Sequence, residues 1–378
     1  MDFDLSEEQR LLRDSVDRLI ADRYGFEQRK KYLAEPDGWS RDAWAQYAEL
    51  GLLGLPFGEQ HGGFGGGAVE TMIVMEALGR GLILEPYFAT VVLGGGLIRR
   101  TGGPAQQAEL LPRIAQGQLK LAFAHLERQA RWNLGDVSTT ARQDGKAWVL
   151  DGAKGVVLHG DCADRLLVTA RISGARQDRD GIGLFLIGAD APGVTRRGYP
   201  TQDGLRAAEI GFADARPAEP LGDSGHALAA IEHVVDEAIA GLCAEAVGVM
   251  AAMQETTLDY LKTRQQFSRP IGQFQALQHR AVDLLTAVEQ ARSMALFATM
   301  MSGHPDPTER RRAISAAKVQ IGRSGHLVGQ EAIQLHGGIG MTMEYKVGHY
   351  FKRMTMIDQM FGDADHHLAT LARLGGLF

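Results

Sequence analysis

The chain has 378 residues, more than one hydrophobic core usually holds, so we expect two or three domains. A hydrophobic share of 45% and a charged share of 23% are ordinary for a globular protein, and a net charge of −6 argues against a general affinity for nucleic acid or acidic membranes. The two cysteines, Cys162 and Cys243, stand far apart, which predicts neither a disulfide framework nor a thiolate metal site. The N-terminus lacks the basic and then apolar pattern of a secretory signal, and no run of about eighteen apolar residues occurs. We therefore expect a cytoplasmic protein without a membrane span.

The first region, to residue 118, has helical patterns. Ser6 and Gln9 form a capping-box pattern, and an apolar face follows at Leu11, Leu12, Val16, Leu19 and Ile20. A second helix is predicted near 41–50, and two more at 69–84 and 87–100. The glycine-rich stretch 61–67 follows no strand and lacks the lysine of a P-loop, so we interpret it as a mobile connection rather than a phosphate cradle.

Between residues 119 and 223 the pattern changes to short apolar runs separated by glycine and charged turns, at 121–124, 148–150, 155–158, 166–169 and 182–187. This spacing predicts strands, and hence a β domain inserted into a helical chain. From residue 224 to the end, long helical patterns return, including one around 309–335 and a last pair after Lys346.

The stretch from Tyr260 to Gln275 joins two of these long helices. Pro270 and Gly272 break the helical pattern and are expected to leave Arg264, Gln266 and Phe267 at an exposed end. From the residues alone, this is either a packed helix cap with a surface cation or a guanidinium and an aromatic ring that contact a ligand.

The stretch resembles the Arg-x-x-Phe-Gly motif of acyl-CoA dehydrogenases, with Ser268 where that family usually has glycine. Similar segments occur at 51–56, 150–154 and 334–340. The resemblance implies an acyl-CoA dehydrogenase-like fold with an N-terminal α-helical domain (1–118), a middle β-barrel-like domain (119–223) and a C-terminal four-helix bundle (224–378). Within the family, the chain is most similar to the small subunit of a pimeloyl-CoA dehydrogenase type, whose partner is a larger dehydrogenase chain.

The activity implied by the resemblance is α,β-dehydrogenation of an acyl-CoA thioester by FAD, with a glutamate as the base that removes the C2 proton. Family contacts to the ADP half of FAD in a neighbouring subunit fall here on six residues, which we call the ADP-contact residues: Arg264, Gln266, Phe267, Gln334, Gly337 and Gly338. A guanidinium suits pyrophosphate oxygens, and glycine lets the backbone approach phosphate closely. The segment 337–340 is also a candidate helix C-cap, and both roles are compatible.

The segments that hold the flavin ring in the family are altered. One of them contains Leu126, Glu127 and 131–133, and the other contains 156–158, where Val156 replaces a tryptophan and Leu158 replaces a threonine whose hydroxyl reaches the flavin. Leucine makes no hydrogen bond, so a flavin here would lose contacts worth about 1 kcal/mol each. We expect that this chain's own flavin site is impaired.

The family's usual base position falls on Gly362, which cannot take a proton. Asp363 is adjacent, but a helix N-cap is its simpler role. A second location used in the family falls on Ala238, with Glu237 beside it on another helix face. Glu237 and Asp363 are therefore only weak catalytic candidates, and the cluster of Asp363, Asp365, His366 and His367 is too compact in sequence to predict a metal site.

Three hypotheses follow. The chain is the non-identical small subunit of a heterotetramer and contributes its ADP-contact residues to FAD whose flavin ring and base belong to a larger partner. Alternatively, it is a self-sufficient homo-oligomeric dehydrogenase with a relocated base, or a non-catalytic family member that scaffolds its partner or binds acyl-CoA. The resemblance favours bulky or dicarboxylic acyl groups, such as pimeloyl-CoA or a steroid side chain, and an electron-transfer flavoprotein as the acceptor.

Overall fold

The structure is a computed structural model that describes residues 4–145 and 147–375. Two compact units form, and neither is one continuous segment. The first contains the described residues of Met1–Lys31, Ala68–Ile83 and Ile239–Phe378, and the second contains Tyr32–Gly67 and Leu84–Ala238. Each unit combines segments that are far apart in the chain, whereas the predicted domains are continuous segments. The predicted boundaries at 118 and 223 therefore stay a prediction. Within the described residues, no helix is long and apolar enough to cross a membrane.

Helices account for most of the chain. They are α1 Glu7–Arg23, α2 Phe26–Leu33, α3 Arg41–Glu49, α4 Ala68–Gly81, a π-helix Phe88–Gly95 that continues into α5 Gly96–Thr101, α6 Pro104–Ala115, α7 Leu228–Thr263, α8 Gln275–Met301, α9 Pro307–His336, α10 Lys346–Gln359 and α11 Ala364–Arg373. In the first unit, α4 packs on α1, and α9 packs on α8, α10 and α11.

Local signals placed several helix ends correctly. The capping box is present at α1, where Ser6 Oγ accepts from the Gln9 N–H at 3.2 Å and Gln9 Oε1 accepts from the Ser6 N–H at 3.0 Å. The helix predicted over 87–100 differs, because its first part is π-helical. Gly95 lies against the Phe57 ring, where an added Cβ would be 2.5 Å from Cζ, so glycine permits this close approach.

The second unit holds one seven-stranded sheet: β1 Leu121–Ala124, β2 Thr140–Asp144, β3 Ala147–Leu158, β4 Arg165–Arg171, β5 Ile182–Gly188, β6 Val194–Pro200 and β7 Arg206–Leu221. The strand order is β1-β4-β2-β3-β7-β5, with β6 paired to β7. Because β5 pairs with both β7 and β4, the sheet closes on itself around buried side chains such as Leu150, Phe185 and Ile210.

The two apolar runs at 148–150 and 155–158 are not separate strands, as the sequence suggested, but parts of the single strand β3. Register shifts against β7 occur at three places: between Trp148 and Leu150, between Leu150 and Gly152, and between Lys154 and Val157. Gly152 has a φ of 145°, and an added Cβ would lie 2.7 Å from Thr139. A glycine at such an irregularity bends a strand without ending it. The apolar pattern in the sequence is therefore interrupted at this point, although the strand continues.

Candidate functional site

A short hairpin at the end of α7 presents three of the ADP-contact residues. After Thr263, strands β8 Gln265–Gln266 and β9 Arg269–Pro270 pair antiparallel. The Arg264 side chain is exposed, and within the described part of the chain no carboxylate pairs with its guanidinium. Phe267 is 86% exposed. The guanidinium has no salt-bridge partner within the described residues and most of the Phe267 ring is open, so both are available to a group outside the chain.

The hairpin tip has an unusual backbone. Phe267 has a φ of 55° and Ser268 a φ of 62°, both in the left-handed region. Only glycine adopts this region without a penalty of roughly 1–2 kcal/mol. The glycine that the family has in place of Ser268 would be unstrained here, so the serine costs stability and leaves the tip geometry intact. Phe274 lies edge-on to Phe267, with ring centroids 6.0 Å apart, and contacts the tip.

The turn after α9 carries the other ADP-contact residues. Gly337, with a φ of 63°, caps α9 by donating its N–H to Gln334 O and Ile333 O, so the predicted C-cap is confirmed. Gln334 and both glycines are exposed. A Cβ added at Gly338 would meet nothing within 4 Å, and its φ lies outside the left-handed region. Nothing in the chain's own fold requires glycine at 338, whereas a phosphate approaching the backbone would.

An aromatic cluster joins the hairpin to this turn. Tyr260, near the end of α7, stacks on His336 at the end of α9, with ring centroids 4.5 Å apart and planes at 28°. Tyr345 lies against both rings, 6.3 Å from Tyr260 and 5.0 Å from His336. Arg264 follows Tyr260 by one helical turn and donates its N–H to Tyr260 O at 2.8 Å. The cluster thereby fixes two segments distant in sequence at one end of the first unit, a link that the sequence analysis missed.

A cleft of about 640 Å³ lies in the second unit at the position expected for the flavin ring. Its lining includes Leu126, Arg131, Val156 and Glu209. Gly155 N–H donates to Leu126 O at 2.9 Å, which brings the two altered segments together as the resemblance implied. Val156 is 41% exposed and offers only hydrocarbon. Leu158 is not among the cleft-lining residues.

The cleft lining includes a buried ion pair between Glu127 and Lys154. Glu127 Oε1 accepts from Lys154 Nζ at 2.7 Å, and the two side chains are 4% and 0% exposed. Glu127 also accepts from the N–H groups of Ser138 and Thr139, at 2.8 and 3.0 Å. Burial alone would raise the pKa of Glu127, but the ammonium charge and these hydrogen bonds hold it at about 2. Burial lowers the pKa of Lys154 to about 8, so both groups are ionised at neutral pH and form a support for the cleft.

The catalytic candidates have structural partners of their own. Asp363 caps α11, and its Oδ1 accepts from the His366 N–H at 2.8 Å, so the N-cap prediction is confirmed. Glu237 accepts from Arg100 at 2.9 Å and from Arg99 at 3.3 Å. Ala238, the family's second base location, is fully buried and has no acidic group. Neither acid is placed as a free general base.

Comparisons with known proteins agree with this architecture. Sequence models of the N-terminal, middle and C-terminal domains of acyl-CoA dehydrogenases match residues 6–118, 122–214 and 204–375. An acyl-CoA dehydrogenase of Mycobacterium bovis, fadE12, is 34% identical over 356 residues, covering 90% of this chain and 89% of the relative. The chain therefore belongs to the acyl-CoA dehydrogenase family, whose members are oxidoreductases acting on CH–CH groups.

Among solved structures, a variant of the Tcur3481-Tcur3483 steroid ACAD is 30% identical, with a TM-score of 0.88 over 97% of each chain. A chain of the ChsE4-ChsE5 complex from Mycobacterium tuberculosis is 25% identical, with a TM-score of 0.86 over 99% of this chain and 98% of that one. PigA with FAD and proline is 27% identical, with a TM-score of 0.90 over 99% and 98%. The acyl-CoA dehydrogenase fold, with helical N- and C-terminal regions and a middle β region, is thus established for this chain.

FAD is the cofactor of the family. The residues available to its ADP half differ from those available to its flavin ring. An unpaired guanidinium, an exposed amide and an open glycine turn suit a pyrophosphate, so the ADP-contact residues fit. The flavin ring has a polar edge that needs hydrogen-bond partners, and the side chains of Leu126 and Val156 in the cleft provide none. Those two side chains do not fit the polar edge of the ring, whereas Arg128, Arg131 and Glu209, which line the same cleft, carry hydrogen-bonding groups.

Proposed function

We propose that this chain is the small, base-deficient subunit of an FAD-dependent acyl-CoA dehydrogenase of the pimeloyl-CoA dehydrogenase type. The enzyme converts an acyl-CoA thioester to the trans-2-enoyl-CoA as a heterotetramer with a larger chain. In this assignment the larger chain supplies the flavin ring's site and the catalytic base, and this chain supplies contacts to the ADP half of FAD.

One observation carries the proposal. Arg264, Phe267 and Gly338 are exposed at one end of the first unit, and the chain's own contacts do not account for their residue types. A pyrophosphate and an adenosine from a neighbouring subunit would account for all three, because they need a cation, an apolar face and close backbone approach. At the chain's own cleft, Val156 stands where the family has a tryptophan against the flavin ring.

The proposed role of this chain is binding and orientation. Bound FAD would accept the hydride that leaves C3 of the acyl group. Arg264 would hold the pyrophosphate by charge-assisted hydrogen bonds, and the open backbone at Gly338 would let a phosphate approach closely. Phe267 would cover the nucleotide on its apolar side. These contacts would fix one end of the cofactor, and the partner would position the reacting end.

Two comparisons support a heteromer and a bulky substrate. ChsE4-ChsE5 is a complex of two unlike chains, and the Tcur3481-Tcur3483 protein is described as a steroid enzyme. By this likeness we propose a bulky acyl group, with a steroid side chain or pimeloyl-CoA as the first substrates to test. An electron-transfer flavoprotein is the proposed electron acceptor.

The alternatives make different demands on the structure. A self-sufficient homo-oligomer would need Glu237 or Asp363 as the base, and both carboxylates are engaged by hydrogen bonds within the chain. A scaffolding subunit that only stabilises its partner or binds acyl-CoA would not need an exposed, unpaired Arg264. The heteromeric role is compatible with the hydrogen-bonded acids and with the exposed Arg264.

The test is a count of bound FAD after denaturation. The full chain is expressed alone and then with each larger acyl-CoA dehydrogenase chain of its own genome. We expect the chain alone to be flavin-free, and the correct complex to carry one FAD per pair of unlike chains. Arg264→Ala should lower the FAD content of the complex, whereas Arg269→Ala on the same hairpin should not.

Two results would overturn this assignment. If the chain alone holds one FAD and oxidises an acyl-CoA, it is self-sufficient, and Glu237 and Asp363 become the residues to substitute. If a complex forms and its FAD content is indifferent to Arg264→Ala, the chain is a scaffold.

A further inference from the structure

The turn between α10 and α11, residues 360–363, is fixed by a buried lysine. Lys318, on α9, is fully buried. Its Nζ donates to three carbonyls, those of Ile357 at 2.8 Å, Asp358 at 2.8 Å and Gly362 at 2.9 Å. Two of these carbonyls belong to the end of α10, and the third is the carbonyl of the turn itself. One ammonium group therefore ties position 362 to the neighbouring helix.

A second anchor is His367, which is 1% exposed. Its Nε2 lies 3.2 Å from Phe361 O, and its Nδ1 lies 3.1 Å from Ser315 Oγ. A carbonyl only accepts, so Nε2 carries the proton and Nδ1 accepts from the serine. Burial lowers the pKa of His367 to about 2, which keeps the ring neutral and preserves this arrangement. Because both ring nitrogens are hydrogen-bonded inside the fold, moving the ring aside would break both bonds.

The space at Gly362 is occupied by the two histidine rings. Gly362 has a φ of 115°, and an added Cβ would lie 2.5 Å from His366 Cδ2 and 2.9 Å from His367 Nε2. Real Cβ atoms do not approach heavy atoms this closely. The two rings stand edge to face, with centroids 5.3 Å apart. His366 is half-buried and could rotate away, whereas His367 could not.

We propose that His366 and His367 close position 362 to a side chain, and thereby exclude a catalytic base at that position of this chain. The inference rests on the proposed function in one respect: the family's base position must fall on Gly362. It goes further, because it says that a glutamate cannot simply be restored there. The absence of a base at this position is then a consequence of how the turn is packed, and a single substitution does not reverse it.

The experiment is a set of glycine variants in the full chain, compared by the midpoint of thermal unfolding. Gly303→Ala is the reference, because its Cβ would meet nothing within 4 Å. Gly62→Ala adds a left-handed φ of 76° in equally open space, so it measures backbone strain alone. Gly362→Ala combines strain with the two rings. We expect the midpoint to fall least for Gly303→Ala, by a few degrees for Gly62→Ala and clearly more for Gly362→Ala.

The His366→Ala background isolates the steric part. Removing that ring should recover a substantial fraction of the loss caused by Gly362→Ala, and should have little effect on Gly62→Ala. If Gly362→Ala yields no soluble chain, recovery of soluble chain in the double variant is the expected result. Equal losses for Gly362→Ala and Gly62→Ala, or no recovery in the His366→Ala background, would overturn the proposal.

Gly362→Glu gives a second readout. We expect it to be at least as unstable as Gly362→Ala and to show no acyl-CoA oxidation with an artificial electron acceptor and added FAD. A stable, active Gly362→Glu chain would overturn the proposal. The FAD count of the complex does not involve a substitution at position 362. Failure of the proposal about position 362 is therefore distinct from failure of the proposed heteromeric role.

Discussion

Replacing Arg264 by alanine should separate cofactor binding from folding. The guanidinium is exposed and, within the described residues, makes no salt bridge, so its loss should change the free energy of unfolding by no more than about 0.5 kcal/mol. A charge-assisted hydrogen bond is worth about 1.5–3 kcal/mol when its partner is bound. The dissociation constant of FAD from the complex should therefore rise by roughly ten- to a hundred-fold.

The assay is a titration of FAD into the deflavinated complex, followed by fluorescence, alongside thermal unfolding of the apo complex. Arg269→Ala is the matched control, because its guanidinium lies 4.1 Å from the centre of the Phe274 ring on the same hairpin. Losing that contact should cost about 0.5–1 kcal/mol of stability and leave FAD affinity unchanged. Arg264→Lys keeps the charge without the planar fork and should be intermediate.

The reasoning would be refuted by an FAD affinity that is the same in Arg264→Ala and the unaltered complex. It would also be refuted if Arg264→Ala lowered stability as much as it lowered affinity, since the residue would then be part of the fold. A loss of affinity in Arg269→Ala equal to that in Arg264→Ala would show that the hairpin responds to charge alone.

Three further predictions concern the supports of the site. Lys318→Met leaves three buried carbonyls without their donor and should lower the free energy of unfolding by about 3 kcal/mol or more in urea titrations; a loss below about 1 kcal/mol would contradict the proposed clamp. Glu127 has a pKa of about 2 in the fold against 4.5 as its ordinary value, so it contributes roughly 3 kcal/mol above pH 4.5 that is lost as the pH falls towards 2. The unaltered chain should therefore lose more stability between pH 5 and 2.5, by urea titration, than Glu127→Gln, and equal losses would count against the pair with Lys154. Tyr260→Ala should weaken FAD binding to the complex by separating the hairpin from the turn at His336, while Tyr260→Phe should not; identical affinities would show that the aromatic cluster does not align the two segments.

Helix ends were predictable because their signals are local. A capping box, an N-cap aspartate and a C-cap glycine each depend on a few neighbouring residues, so Ser6, Asp363 and Gly337 could be assigned from sequence. The continuity of β3 through Gly152 was not predictable, since the strand is held by β7, more than fifty residues away. The π-helix was missed for the same reason, because its glycines are explained only by the ring and side chains that pack on them.

The candidate site divides in the same way. The hairpin with Arg264 and Phe267 was predicted from a motif, and its exposure agrees with that prediction. The three-carbonyl contact of Lys318 was missed because lysine in a helical pattern usually indicates a solvated face. The closure of position 362 was missed because it depends on a backbone angle and on two ring positions, and no sequence pattern reports either.

Three glycines show how the fold separates structural from functional positions. Gly337 is required by its left-handed φ, and Gly362 by both its φ and the histidine rings around it. Neither a left-handed φ nor a close neighbour requires glycine at 338. This residue lies in the exposed turn after α9, close to the hairpin that carries Arg264. Where contacts within the chain account for the residue type, no ligand is needed to explain it. Where they do not, the position is a candidate for contact with a ligand. By that criterion Arg264 and Gly338 are candidate ligand contacts, whereas the two candidate bases, Glu237 and Asp363, have hydrogen-bond partners within the fold. These contacts are the basis for proposing that the chain binds one end of a cofactor and leaves proton abstraction to its partner.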